Sequence, residues 1–447
     1  MTPESQPAAP YAGTPPDPSD PLSRKGISLR EQINAFLYFG YVPETIWRGW
    51  ELPFDQALIE SGICEYEGKS FGELVDTGAE IFLSLFNQPD VQDREHVGPL
   101  SGGMDSRMVL GGLLRKVGKD HLTTTTFGVP GMLDVTIAQK VGEACGATHR
   151  FLDTRLLDFS IQRFEREIDN GQHWLPRIKN ASALVYEHFG ADKTYWSGYL
   201  GDIISRGIGR ESAPPVEEAR KRFINKARTT KPALCEPSFD PERWIPASLP
   251  ASPEVVPAYD QINLGIRQRY LIAPSQLPPG HHCETPYGNR EWLRFMLGVP
   301  GSMRRDQRLF RAIGRRLFPE LMALPIKRSY GLPMDAPAWK KKLASAGLRT
   351  SRVLKRLSGR YPGPPHTTNQ MDWPHELRHH AELRALLENL LPSLEARGVL
   401  PWLDIGRYWR EHQAGRRDHS SELLLLGSLE LSLRHEPGAD QLCARSS

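Results

Sequence analysis

A glycine-rich turn constrains this chain more than any other feature. Residues 100–106 read Leu-Ser-Gly-Gly-Met-Asp-Ser, with a short apolar run before them and a helical pattern after them. Two adjacent glycines let the backbone curl until successive N–H groups converge, and the following helix adds the positive end of its dipole. The hydroxyls of Ser101 and Ser106 can donate to phosphate oxygens. The sequence therefore predicts an anion-binding loop between a strand and a helix.

Strand and helix patterns alternate around this turn. Strands are predicted by apolar or threonine-rich runs at 97–100, 121–127, 148–152 and 194–197. Helices are predicted over 105–117 and 133–145, where apolar residues recur at helical spacing. Strands that alternate with helices form parallel sheets through right-handed crossovers. The predicted fold class is therefore α/β, a mainly parallel sheet with helices on both faces, plus a helical C-terminal region.

Composition excludes several classes of protein. The 447 residues include 56 basic and 53 acidic side chains, a net charge of +3 that requires neither nucleic acid nor a membrane as partner. The longest dense apolar run, 423–426, is too short to span a bilayer. Five scattered cysteines lack the spacing of metal or redox motifs, and no secretory signal is evident. We expect a cytoplasmic protein with free thiols, no nucleic-acid partner and no membrane partner.

Four segments are predicted along the chain. Residues 1–25 form a proline-rich arm that lacks the apolar surface needed to order itself. A helical connector over 26–92 leads into an α/β domain over 93–335. A helical region over 336–447 completes the chain.

Asp105 is the chemically unusual residue of the turn. A carboxylate repels a bare phosphate, so its presence predicts a bridging Mg²⁺. In the alternative interpretation, the turn only joins a strand to a helix, and Asp105 and Ser106 cap that helix. No glycine-rich turn in the chain is followed by Gly-Lys-Ser/Thr, which disfavours kinase or GTPase chemistry.

The turn resembles the pyrophosphate loop of the ATP pyrophosphatase superfamily, and further stretches are similar to the synthetase domain of the asparagine synthetase family. Residues 125–131, Thr-Thr-Phe-Gly-Val-Pro-Gly, resemble the strand end that lies against adenine and ribose. Residues 197–202, Ser-Gly-Tyr-Leu-Gly-Asp, resemble the string that supplies a second carboxylate. Residues 285–291 resemble the family's Pro-aromatic segment, 324–331 its lysine loop, and 33–43 its connector.

The resemblance covers roughly residues 33–433 and implies a site for ATP and Mg²⁺. The ATP-binding residues that it implies are Leu100, Ser101, Gly102, Gly103, Asp105, Ser106, Phe127, Gly128, Ser197 and Gly198. It places Mg²⁺ between Asp105 and Asp202, because one carboxylate cannot balance a cation spread over three phosphates. It assigns to Lys327 the neutralisation of charge on the departing pyrophosphate. Taken alone, Asp202 is equally interpreted as a loop cap and Lys327 as part of a solvated basic turn.

The chain departs from the family at two points. Too few residues precede the connector for a glutaminase domain, and position 2 is Thr2 rather than a cysteine. Nitrogen is therefore expected from ammonia, a separate glutaminase or an amine on a substrate. Tyr199 stands where asparagine-forming members have a glutamate, and it resembles the tyrosine of the β-lactam synthetase branch, which helps to deprotonate the attacking amine. No carboxylate partner for it is found in 267–271, so a packing role for Tyr199 is the alternative.

Two weaker clusters remain. Residues 281–284, His-His-Cys-Glu, could ligate a metal, but contiguous ligands converge poorly on one tetrahedral ion. Five arginines near the lysine loop are predicted to form a solvated face from which one or two could reach phosphate: Arg304, Arg305, Arg311, Arg315 and Arg316.

The resemblance implies an AMP- and pyrophosphate-forming ligase. It would activate a small-molecule or peptide carboxylate as an acyl-adenylate, which ammonia or an amine then attacks. Three alternatives stay open: a lactam or macrolactam cyclase, a tRNA-modifying adenylating enzyme, and a non-catalytic nucleotide-binding scaffold. The tRNA enzyme would need an RNA-binding module and sulfur-carrying cysteines, and neither is evident in the sequence.

Overall fold

The computed structural model describes residues 27–44, 52–87, 94–169, 174–206, 213–230, 234–358, 361–365, 368 and 370–436. The predicted arm, 1–25, lies outside these ranges. The main sheet has five strands: β1 (His96–Pro99), β2 (Leu122–Gly128), β3 (Thr148–Asp153), β4 (Thr194–Trp196) and β5 (His282–Glu284). Their order is β3-β2-β1-β4-β5, and all neighbours are parallel. The predicted α/β class with a parallel sheet is confirmed.

Helices surround the sheet. In the first half of the chain they are α1 (Leu29–Phe39), α2 (Gln56–Tyr66), α3 (Phe71–Ser84), α4 (Asp105–Lys116), α5 (Leu133–Cys145), α6 (Ile161–Asp169), α7 (Ala183–Phe189), α8 (Gly201–Arg206) and α9 (Val216–Ala227). Next come α10 (Ala258–Ile262), a π-helix (Asn263–Ile272), α11 (Ala273–Gln276), α12 (Arg290–Gly298), α13 (Gly301–Arg304), α14 (Arg308–Leu317) and α15 (Pro319–Ala323). The antiparallel pair β6 (Pro325–Ile326) and β7 (Leu332–Pro333) precedes α16 (Ala338–Leu357), α17 (Trp373–His379), α18 (Ala381–Ala396), α19 (Ile405–Gln413) and α20 (Ser420–Arg434).

Threonines explain why β2 forms as an inner strand of the sheet, between β3 and β1. Their β-branched side chains favour extended backbone, but a buried hydroxyl needs a partner. The Thr124 hydroxyl donates to the Thr148 carbonyl at 3.1 Å and the Thr125 hydroxyl to the Arg150 carbonyl at 3.0 Å, both on β3. The hydroxyl of Thr126 donates to the Leu100 carbonyl, so β2 also holds the start of the turn 100–106.

The direction of the connections places helices on both faces of the sheet. From β1 to β3 the chain moves one way along the sheet, and right-handed crossovers put α4 and α5 on one face. Their buried residues share a core with Trp196 of β4. Between β3 and β4 the direction reverses, so α7 lies on the other face and its Val185 and Tyr186 pack with Tyr195. Neighbouring residues of β4 thus point to opposite faces, as expected for a strand.

The flanking helices belong to two large hydrophobic cores. Helices α2 and α3 pack on α12 and α14 and join the core beneath the sheet. Helix α1 instead packs on α20, which is buried along most of its length against α18. The helices of the predicted connector are thus shared between the two cores. None of the helices in the described ranges is long and apolar enough to cross a bilayer.

Candidate functional site

The site lies where the strand order reverses. Connections leave the carboxyl ends of β1 and β4 in opposite directions, which opens a crevice where ligands bind in sheets of this kind. The turn 100–106 follows β1, and residues 197–202 follow β4. Both stretches singled out in the sequence therefore lie at the one point of the sheet that favours a bound ligand.

The turn after β1 is held by its own hydroxyls. The Ser106 hydroxyl accepts the N–H of Ser101 at 3.1 Å and lies 3.0 Å from the Ser101 hydroxyl oxygen. The Ser101 hydroxyl accepts the N–H of Gly103 at 3.2 Å. Helix α4 has Met104 at its N-cap and no capping bond from a side chain. Asp105 and Ser106 are thus the first two residues of the helix, and neither is its N-cap.

The carboxyl end of β2 lies beside the turn 100–106. The N–H of Leu100 donates to the Thr125 carbonyl at 2.7 Å. Phe127 and Gly128 end β2, and a Cβ on Gly128 would lie 2.9 Å from Cγ2 of Val135. Phe127 and Gly128, which the resemblance predicts to face adenosine, thus lie at the same edge of the sheet as the turn. At position 128 only glycine fits without a clash.

Asp105 and Asp202 meet across the crevice. Oδ1 of Asp105 is closed to solvent and has no hydrogen-bond partner among the described residues. Burial, together with the nearby charge of Asp202, raises the pKa of Asp105 to about 7. Asp202 is half-exposed; it pairs with Arg206 at 2.5 Å and accepts from Nε2 of Gln307 at 3.2 Å. Among the described residues Asp105 thus has no ion pair of its own, and burial with the charge of Asp202 disfavours its ionised form more than the charge of Arg206 favours it.

Two glycines and a tyrosine allow this approach. A Cβ on Gly201 would lie 2.8 Å from Cγ of Asp105 and 2.8 Å from Cε2 of Tyr287. A Cβ on Gly198 would lie 3.3 Å from the backbone nitrogen of Ser106. The hydroxyl of Tyr287, which is fully buried, donates to the Asp105 carbonyl at 2.7 Å. The Pro-aromatic segment predicted from the sequence therefore supports Asp105 from below.

Asp134, at the start of α5, connects the turn to the lysine loop. Its Oδ1 accepts the N–H of Gly102 at 2.9 Å, and its Oδ2 pairs with the ammonium of Lys327. The backbone N–H of Lys327 donates to the Gly102 carbonyl at 2.9 Å, and its ammonium donates to the Thr368 carbonyl at 3.2 Å. A carboxylate here thus engages the backbone N–H and the cation that would suit an anionic ligand.

Sequence reasoning did not assign a role to Asp134. An available signal was its place in the first turn of the helix after β2, since the carboxyl ends of adjacent parallel strands meet at one edge. Arg107 was missed as well. It is fully buried on α4, and its guanidinium donates to the carbonyls of Leu321 and Leu324, each at 3.0 Å, and of Pro325 at 2.6 Å. It fixes the lysine loop against the helix that follows the turn.

Unusual backbone conformations occur around this crevice. The non-glycine residues with left-handed φ in the described ranges are Leu200 (69°), Asp306 (52°), Gln307 (61°), Tyr330 (56°) and Gln370 (69°). Leu200 lies between Tyr199 and Gly201, Gln307 contacts Asp202, and Tyr330 ends the turn that begins at Lys327. Such strain persists only where the surroundings impose it, and it is frequent at functional sites.

Tyr199 and Ser197 face inward from the start of this stretch. The hydroxyl of Tyr199 donates to the Gln268 carbonyl of the π-helix at 3.0 Å, and only 4% of the residue is exposed. The Ser197 hydroxyl accepts the N–H of Tyr199 at 3.1 Å and lies 3.4 Å from Oε1 of Gln276. These contacts favour the packing alternative for Tyr199.

The structure shows where residues 281–284 and the five arginines lie. Residues 282–284 form β5, the edge strand that the sequence did not predict, and the His281 ring packs on Tyr186 and Tyr195. No group of three or more His, Cys, Asp or Glu side chains suited to a metal is found in the described part of the chain. Of the arginines, Arg305, Arg315 and Arg316 are exposed, as predicted for a solvated face, whereas Arg304 is buried and donates to the Ile204 carbonyl.

Two cavities are found in the described part of the molecule. One of about 380 Å³ lies between α6, α7 and residues 274–281, and charges of both signs line it, including Arg163, Glu167 and Glu187. The other, of about 500 Å³, is an open cleft between Tyr330 of the lysine loop and α16, where Lys342 and Arg349 line it. The second cleft is basic and lies next to the loop that carries Lys327.

No model of a known protein family matches the chain, and no curated protein matches it at a significant level. The resemblance to the asparagine synthetase family therefore depends on the sequence motifs alone.

Proposed function

We propose that this chain is an ATP-dependent amide ligase that forms AMP and pyrophosphate. The observation that carries the proposal is the meeting of Asp105 and Asp202 at the reversal of strand order, beside the turn 100–106. A glycine-rich turn at a helix start favours phosphate, and two facing carboxylates favour a cation. ATP with Mg²⁺ satisfies both requirements.

The residues present fit Mg²⁺. This ion is usually held by one or two carboxylates together with substrate phosphates and water, so a cluster of three protein ligands is not required. In the described part of the chain Oδ1 of Asp105 has no hydrogen-bond partner, and the pKa of Asp105 is raised by burial and by Asp202. A divalent cation between the two carboxylates would take Oδ1 of Asp105 as a ligand and would offset the repulsion between Asp105 and Asp202. Bound there, it would neutralise charge on the phosphates.

Lys327 suits the stabilisation of a departing pyrophosphate. Its backbone is tied to Gly102, so its ammonium lies over the turn, and Asp134 holds that ammonium in place. Fixed charges of this kind stabilise developing negative charge without reorganising at the moment of reaction. Asp134 is a positioning residue in this proposal, because it acts on Lys327 and Gly102.

The sheet order and the position of the turn support a finer fold assignment, an adenine nucleotide α-hydrolase-like domain. The basic cleft beside the lysine loop suits an anionic substrate, and we assign the carboxylate to it. The carboxylate oxygen attacks the α-phosphate and pyrophosphate leaves; ammonia or an amine then attacks the acyl carbon and AMP leaves. The packed hydroxyl of Tyr199 does not favour a cyclase over an intermolecular ligase. A cytoplasmic location would supply the ATP.

Isotope exchange tests the proposal. Labelled pyrophosphate should enter ATP when the protein is incubated with Mg²⁺ and pools of carboxylic acids, and AMP should be the nucleotide product once an amine is added. Lys327→Ala should abolish the exchange, whereas Lys140→Ala, on the exposed face of α5, should not. Measurable ATP binding without exchange in any pool would instead support the scaffold alternative, and ADP as product would refute the adenylating mechanism.

A further inference from the structure

Helix α16 presents its apolar side to solvent, the reverse of an ordinary surface helix. Large apolar side chains of this helix are more than half exposed: Trp339 59%, Leu343 63%, Val353 55%, Leu354 61% and Leu357 79%. They recur three or four positions apart, together with Ala346 and Thr350, and therefore share one face. We call this face, formed by 339, 343, 346, 350, 353, 354 and 357, the apolar stripe.

The opposite side of α16 faces the protein. Lys341, Ala344, Ser345, Leu348 and Arg352 are its half-buried positions, and the Lys341 ammonium donates to the Met334 carbonyl at 2.6 Å. These residues also recur at helical spacing, about half a turn away from the apolar stripe. The helix thus packs on the protein through a half-buried side of polar and apolar residues, and its most apolar side faces solvent.

The charge of α16 is of one sign. Residues 338–357 contain seven lysines and arginines and no aspartate or glutamate. Three of them, Lys340, Lys341 and Lys342, lie in the first turns, where cations oppose the helix dipole. Like charges three or four positions apart also repel. The charge pattern therefore costs helix stability, and a partner of opposite charge would compensate for it.

The charge decides between possible partners. A second copy of the chain would bring another basic helix against the first, which like-charge repulsion disfavours. An anionic lipid surface satisfies both features at once, because it offers an apolar layer for Trp and Leu beneath negative headgroups for Lys and Arg. The expectation of no membrane partner was based on the small net charge of the whole chain and on the lack of a spanning segment. A helix lying in the interface requires neither a large net charge of the whole chain nor a spanning segment.

We propose that α16 docks this protein on anionic membrane surfaces, with the apolar stripe in the headgroup region and the flanking basic residues against acidic lipids. This inference is independent of the proposed ligase activity. It also places the cleft beside the lysine loop at the membrane side of the molecule, since Lys342 and Arg349 of α16 line that cleft.

Vesicle flotation of the full chain tests the proposal. The protein should bind vesicles that contain phosphatidylglycerol and should not bind vesicles of phosphatidylcholine alone. Leu343→Asn and Leu354→Asn should each weaken binding about tenfold, because each removes a leucine from an apolar layer. Lys340→Glu and Lys342→Glu, which lie on either side of the apolar stripe, should each weaken it about fivefold or more. All four residues are exposed, so these substitutions leave the core intact.

Matched controls lie outside the helix. Leu156→Asn changes another leucine that is 80% exposed, and Lys140→Glu reverses another exposed charge; neither should alter flotation. Lack of binding to anionic vesicles would overturn the proposal, as would equal loss in the controls. Self-association of the free protein that Leu343→Asn abolishes would identify a second copy as the partner instead. Stripe-dependent binding to an acidic amphipathic peptide, without vesicle binding, would assign the surface to a protein.

Discussion

Two carboxylates in this molecule differ in the partners that surround them. Glu430, on α20, is fully buried, yet it accepts from the Ser393 hydroxyl at 2.6 Å, from Nε of Arg397 at 2.7 Å and from Nε of Arg434 at 3.0 Å. Asp105, at the start of α4, has a second acid nearby, and its Oδ1 is closed to solvent with no hydrogen-bond partner among the residues that the structure describes. The charge of Glu430 is thus compensated by groups of the protein, whereas that of Asp105 is not fully compensated.

The comparison shows which of the two regions is built for a ligand. A buried charge is tolerated when its partners are all present, as at Glu430, and such a network serves the fold. An uncompensated carboxylate costs stability, and strained backbone at Leu200 and Gln307 surrounds it. We infer that the buried charges of the helical core stabilise the fold. The carboxylates in the crevice at β1 and β4 would instead be compensated by a bound cation.

The largest effect is expected from Asp105→Asn. The amide keeps the shape of the side chain and removes the charge, so pyrophosphate–ATP exchange should fall at least about a thousandfold, or about 4 kcal/mol in the barrier. Asp120→Asn, on the exposed loop before β2, provides the matched control and should retain the exchange rate. A variant at Asp105 with near wild-type exchange would place the cation elsewhere.

Glu430→Gln should show the opposite behaviour. Removing this charge leaves Arg397 and Arg434 without their buried partner, so the free energy of unfolding should fall by about 3 kcal/mol in urea titrations. Glu388→Gln, at an exposed pair with Arg384 on α18, should change it by less than about 0.5 kcal/mol. Equal effects of the two substitutions would mean that burial of Glu430 contributes nothing special.

Gly201→Ala should disturb the crevice through sterics alone. Its Cβ would contact Asp105 and Tyr287 at 2.8 Å, an overpacking expected to cost about 2 kcal/mol of unfolding free energy and to slow exchange. Gly72→Ala, on α3 with no atom within 4 Å of the added Cβ, should instead stabilise the protein by about 0.5–1 kcal/mol. Thermal unfolding of both variants measures the contrast, and a neutral Gly201→Ala would show that Asp105 can move away freely.

The last prediction concerns the pH dependence of stability. Burial, with the charge of Asp202, raises the pKa of Asp105 from 3.8 to about 7. The folded chain therefore keeps a proton that the unfolded chain loses, and stability falls as the pH rises from about 4 to about 7. By linkage, a shift of this size amounts to about 4 kcal/mol, which the wild type should lose over this window and Asp105→Asn should not. Added Mg²⁺ and ATP should remove the difference, and parallel pH profiles without ligand would contradict the raised pKa.

Much of the fold follows from local patterns. The turn 100–106 fixes where β1 ends and α4 begins, and helix 133–145 was predicted with the bounds that the structure shows for α5. The edge strand β5 could not be predicted, because His282, Cys283 and Glu284 carry no alternating apolar signal and only their pairing with β4 makes them a strand.

The site was partly predictable for a physical reason. Strand ends of a parallel sheet meet at one edge, so the proximity of Asp105 and Asp202 could be inferred from the two motifs, and the structure brings them together. The contacts of Arg107 and Asp134 could not, because both reach a loop about two hundred positions away and depend on how β6 and Lys327 fold back. Long-range contacts of single polar side chains leave no periodic trace in a sequence.

A crystal of the protein soaked with Mn²⁺ and a non-hydrolysable ATP analogue tests the central claim most directly. Anomalous scattering should reveal the metal between the carboxylates of Asp105 and Asp202, with the phosphates over the turn 100–106. A metal peak at any other position, or nucleotide bound away from this turn, would contradict the account.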